Sequence, residues 1–146
     1  MTIYTIQVEE KHIEDGIPQC SSGCAVAKAI DEKLGKIFNL DLEPKILESG
    51  DGFNLRLADN KPFAYQTFFD ADILNEDQQR VNNFVEDFDD GKDVSPFDFN
   101  ISIDDKSIEK MKELAKEEKK LLDSWEKAKK KLKSEWKQIL STKLLT

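Results

Sequence analysis

The chain has little of what small reactive centres are built from: two cysteines, Cys20 and Cys24, and one histidine, His12, in 146 residues. Two cysteines without a secretion signal argue against a disulfide framework. No apolar run approaches the ~20 residues that span a bilayer. The opening MTIYTIQVEEKH also lacks the basic flank and apolar block of a signal peptide. The expectation is a cytoplasmic protein with no membrane partner. A Gly-rich phosphate loop, a G-x-S-x-G elbow and an H-E-x-x-H pair are all missing. The chemistries anchored by those motifs therefore have no foothold, and no cofactor is expected.

What is present is charge, unevenly spread. Charged residues make up 36% of the chain and hydrophobic residues 38%, enough for one modest core. Residues 1–69 carry a net charge of −4, 70–105 of −10 and 106–146 of +6. The basic tail contains no Arg and has seven acids among its thirteen lysines. Its Glu/Lys pairs three or four apart read as helix support, which argues against direct nucleic-acid binding.

The most legible stretch is 84–103, FVEDFDDGKDVSPFDFNISI. Phe84, Val85 and Phe88 continue a helical stripe begun by Leu74 and Val81, and Gly91 stops it by accepting a left-handed conformation. Asn75 is expected to cap this helix, with Gln78 reaching back. From Phe97 the period becomes two: Phe97, Phe99, Ile101 and Ile103 share one face, as in a half-buried strand. Upstream, 2–8 alternates as a first strand, and 9–16 reads as a turn of helix or a tight loop anchored by Ile13. A small-residue helix follows, capped by Ser21, Ser22 or Gly23 and closed by Gly35. Strand-like runs appear at 37–40, 45–48, 53–57 and 63–69, with turns at 49–52 and 58–62, and suggest an antiparallel meander. The fold class expected is α+β: an antiparallel sheet packed with helices over 1–105, then one long C-terminal helix over 106–146.

That tail contains no Gly or Pro. Ile108, Met111, Ala115, Leu122, Trp125, Leu132, Trp136 and Ile139 fall on alternating three- and four-residue steps, with Glu118 and Lys129 interrupting the seam. A helix of this length should extend beyond a small body, so Met111, Leu122, Trp125, Leu132, Trp136 and Ile139 are the candidate interface; Trp125 and Trp136 fit equally a place in the core if the body covers them. Self-pairing into a homodimer is the simplest use of such spacing. An antiparallel arrangement would bring Glu118 and Lys129 together, whereas a parallel one sets like against like.

His12, Cys20 and Cys24 lie within thirteen positions, and Cys20-x₃-Cys24 has zinc-ligand spacing, but no second Cys or His pair exists to complete four ligands. Cys24 at a helix start could have a lowered pKa, with His12 as its base. The string QCSSGCA loosely resembles the helix-opening cysteine of papain-like proteases, yet the downstream histidine of those enzymes is absent. The acids Glu86, Asp87, Asp89, Asp90 and Asp93 do not match an EF-hand loop, which needs a bidentate Glu at its twelfth position.

Three groups of residues together resemble a group of small proteins carried by bacteriophages, prophages and plasmids. They are His12-Ile13-x-x-Gly16; Cys24-x-Val26-Ala27-x-Ala29; and Phe84-Val85-x-x-Phe88-Asp89-x-Gly91-x-x-Val94-x-Pro96-Phe97-x-Phe99. The resemblance covers 3–103; that group has Pro where this chain has Ala25, and the 106–146 helix has no counterpart in it. No activity comes with it. It implies a mobile-element accessory protein, and the function expected is a non-enzymatic protein-interaction module or host-directed inhibitor acting on a protein partner of unspecified identity. The alternatives are a small thiol or metal enzyme using Cys24 and His12, with Cys20 as a further ligand, and an acidic DNA mimic.

Overall fold

The structure is a computed structural model that describes residues 1–58 and 67–145, with side chains described through 142. It divides into two compact units, 1–111 and 112–146. The first opens with β1 (Thr2–Val8) and α1 (Glu10–Asp15), then α2 (Ala25–Phe38), β2 (Leu42–Ile46) and β3 (Phe53–Leu57). It continues with β4 (Phe68–Phe69), β5 (Ala71–Ile73), α3 (Asn75–Asp89) and β6 (Phe97–Ile103). A final helix, α4, runs over Asp105–Leu145; its first two turns belong to the first unit and the rest forms the second. The fold is α+β.

Among the described residues the strands form two three-stranded antiparallel sheets, one of them the meander expected from the middle of the chain. One has the order β1-β6-β5 and the other β2-β3-β4. Only the second follows chain order. In the first, β6 is central: Ile6 faces Phe99 and Tyr4 faces Ile101 on one side, while Ile73 faces Ile101 and Ala71 faces Ile103 on the other. The period-two pattern of β6 explains this position, since Phe99, Ile101 and Ile103 are completely buried. Each contributes about 1.5–3 kcal/mol by leaving water. Phe97, at the start of the strand, is only half-buried, its ring 4.6 Å from Phe84 and 5.6 Å from Phe99.

Helix α2 packs on β1 and β2, and so touches both sheets. Its buried face of Ala25, Val26, Ala27, Ala29, Ile30 and Leu34 is small enough for close approach. At its N-terminus sits Cys24, with no side-chain cap, so the expected serine caps are not used. The helix also runs past Gly35 to Phe38, and its stop is Asn39, in the left-handed conformation. The expected strand at 37–40 is therefore helix end and cap. The strand expected at 45–48 lies earlier, as β2. The turn expected at 58–62 and most of the strand expected at 63–69 lie outside the described residues.

Helix α3 ends as its sequence implies. Gly91, at φ 75°, donates its N–H to the Phe88 carbonyl, and Lys92 donates to the Asp87 carbonyl, the paired bonds of a Schellman stop. Its start differs from expectation. Leu74 is the N-cap, and the Gln78 side chain bonds Gly50 O and Asn82 instead of reaching back. Asp77, buried in the first turn, accepts the Asn100 N–H at 2.8 Å and an Arg80 hydrogen bond at 2.7 Å, tying α3 to β6. Burial alone would raise its pKa, but these donors more than offset that and hold the carboxyl below the usual range.

The first unit closes at Met111, not at residue 105. Ser107 accepts the Asp70 N–H at 2.8 Å, while Ile108 is 8% exposed and Met111 is completely buried. Met111 is thus a core residue, which removes it from the expected interface.

Candidate interaction surface

The expected thiol and metal residues separate in the fold. His12 is buried on α1, where the Glu9 N–H donates to its Nδ1 at 2.9 Å. With Nδ1 accepting, the neutral ring carries its proton on Nε2, which donates to Glu32 Oε2 at 2.8 Å. His12, not Ile13, is the anchor of α1. Both ring nitrogens of His12 are thus engaged, by Glu9 and by Glu32, and its hydrogen-bond partner on α2 is eight residues beyond the Cys24 it was expected to activate. Burial pushes the Cys24 thiol above its ordinary pKa, although the Ala27 and Val26 N–H groups pull the other way. A nucleophile needs the reverse. Cys20 and Cys24 instead border a small recess shared with Ile46, Val85 and Asp89.

Among the described residues, the group whose candidate metal-ligand atoms cluster, all within 4.8 Å of one another, is Glu9, His12 and Glu32. Its positive charge is already supplied by the chain. The Lys11 ammonium lies 2.8 Å from Glu32 Oε1 and 3.3 Å from Glu9 Oε2, and Lys36 lies 3.2 Å from Glu32. Hydrogen bonds from Lys11, then His12, lower the Glu32 pKa to about 2. A metal would have to displace both the ammonium and the Nε2 proton. The arrangement is a structural clasp between α1 and α2.

The residues of the three spaced groups read from the sequence have structural tasks. Gly16 leaves no room for a Cβ, which would sit 2.8 Å from Ala25 N and His12 O and 2.9 Å from the Phe88 ring. Val26, Ala27, Ala29, Phe84, Val85 and Phe88 are buried, and Asp89 accepts the Gln19 N–H. These residues hold α1, α2 and α3 together.

The second unit is the opposite case. Every described residue from Lys119 to Thr142 is exposed. On that helix Leu122 is 60% exposed, Trp125 66%, Leu132 55%, Trp136 62% and Ile139 49%. Trp125 and Trp136 are eleven residues apart, three turns plus about 20°, so both belong to one face roughly 16 Å apart. Lys129 and Lys133 border a groove between Leu132, Trp136 and Leu140. Leu121 and Leu140, 65% and 53% exposed, widen the stripe on either side. They stand next to the seam in the heptad, the signal that could have added them to the candidate interface.

Comparisons with protein-family models, with curated proteins and with solved structures return no match. Among the described residues, no helix is long and apolar enough to cross a membrane.

Proposed function

We propose that the protein is a non-enzymatic interaction module that binds protein through the apolar face of 112–145. The observation that carries this reading is a stripe of Leu122, Trp125, Leu132, Trp136 and Ile139 that is exposed among the described residues. Helices owe most of their stability in water to burial of one face, and the Glu/Lys pairs here, such as Glu126–Lys130, supply only about 0.2–0.5 kcal/mol each. Large aromatic anchors on such a face are what binding energy concentrates on. The resemblance of residues 3–103 to mobile-element proteins suggests an accessory or host-directed inhibitory role, with the first unit as a carrier in which His12 is engaged by Glu9 and Glu32 and Cys24 is buried.

The test is affinity capture from the native host, with tagged wild-type chain and tagged Trp125→Glu/Trp136→Glu compared by quantitative mass spectrometry. A partner held by the wild type and lost by the variant is expected. Identical protein sets from both would overturn the reading.

A further inference from the structure

We infer that the partner of this face is a second copy of the chain, paired antiparallel with Leu122 against the partner's Ile139 and Trp125 against the partner's Trp136. The inference rests on the reading of 112–145 as a binding helix, and it is decided by charge and by what the first unit has already buried.

A parallel pair sets Lys129 on the partner's Lys129 and Glu118 on the partner's Glu118, like charges at the seam of the contact. An antiparallel pair has three registers that keep most of the seam in contact. The first puts Glu118 against the partner's Lys129. It then requires Trp136 to meet Met111 and Ile139 to meet Ile108, and both of those are buried inside the first unit. The second, slipped by half a heptad in each helix, brings Glu126 beside the partner's Glu126 and Lys119 beside the partner's Lys133. Both pairs set like charges together.

The third register removes both faults. Leu122 faces Ile139, Trp125 faces Trp136 and Leu132 faces the aliphatic stem of Lys129, whose ammonium can reach the solvent edge. On the flank, Glu126 comes beside the partner's Lys133, and two-fold symmetry makes every one of these contacts twice. The five exposed seam residues thus all find a partner, using only the second unit of each copy. No contact is asked of Met111, and the charges that flank the seam attract.

Sedimentation equilibrium of the full chain tests this in four forms: wild type, Glu126→Lys, Lys133→Glu and the double variant, with circular dichroism confirming equal helix content. The wild type should be dimeric, each single variant should raise the dissociation constant about fivefold, and the double variant should return to within about twofold of wild type. A wild type that stays monomeric at about 100 µM overturns self-pairing, while the capture comparison above still judges the broader interaction reading. A dimer that Lys133→Glu does not weaken, or that the double variant does not restore, overturns the register.

Discussion

The two units of this protein spend the same residue types in opposite ways. Ile108 and Met111 are 8% and 0% exposed; Leu122 and Trp125, further along the same heptad seam of the same helix, are 60% and 66% exposed. The first unit carries a net charge of −13, the second +5 from eleven lysines and six acids. The first satisfies its apolar surface internally, with a central strand, three packed helices and the opening turns of α4. The second has one helix and nothing of its own to put against it. An apolar period therefore says that a face will be covered, but not by what.

That contrast can be broken most severely by moving the boundary. A chain ending after Met111 should keep the stability of the intact first unit in urea melts followed by core methyl NMR signals. One ending at residue 105 loses Ser107, Ile108 and Met111, and should be destabilised by roughly 4–7 kcal/mol from two lost apolar side chains and a hydrogen bond. Equal stability of the two truncations would mean that α4 is not part of the core.

Phe99→Ala should cost about 3–5 kcal/mol, because a completely buried ring leaves a cavity in the central strand. Phe97→Ala should cost visibly less, since that ring is half-buried. Equivalent losses at the two positions would show that the strand's burial is wrongly assigned.

The clasp between α1 and α2 gives a smaller effect with a definite pH signature. The Glu32 pKa is lowered from 4.5 to about 2 by Lys11, His12 and Lys36. A lowered folded-state value means the contribution is complete above about pH 4.5 and disappears as pH falls through about 2. The side chain is 33% exposed, so screening reduces the effect to about 1 kcal/mol. Glu32→Gln should flatten that part of the stability–pH curve, and an unchanged slope would count against the clasp.

The smallest effect should come from the second unit. Trp125→Ala, on an exposed helical face, should change first-unit stability by less than about 0.5 kcal/mol in the same melts. A loss near that of Phe99→Ala would show that the tryptophan serves the core.

Much of the fold was legible where local rules agree with tertiary demand. Residues 97–103 alternate because one face is buried, and Gly91 stops α3 because its geometry needs a positive φ. Legibility failed where a weak local signal met a stronger one. Gly35 looks like a helix stop, but a Cβ there would meet nothing nearer than Leu40 O at 3.8 Å, and the chain turns at Asn39 instead. Strand β5 has only three residues and takes its place from pairing with β6, a contact no local pattern encodes. The apolar seam of α4 was readable from its spacing. Which of its residues join the core was not, because Met111 is buried by the first unit and not by anything in its own helix.

The placement of Trp125 and Trp136 also sets what spectroscopy of this protein reports. They are its two tryptophans, both in the second unit and both well over half exposed. Indole emission is therefore almost blind to the first unit. In a solution dilute enough to hold the monomer, a denaturation curve followed at tryptophan wavelengths would be nearly featureless even as the β6 core melts, and would pass for a protein without tertiary structure. The same signal, indifferent to unfolding, is well placed to record association: any partner that covers the 125/136 face would shift it toward the blue, and dilution alone would return it.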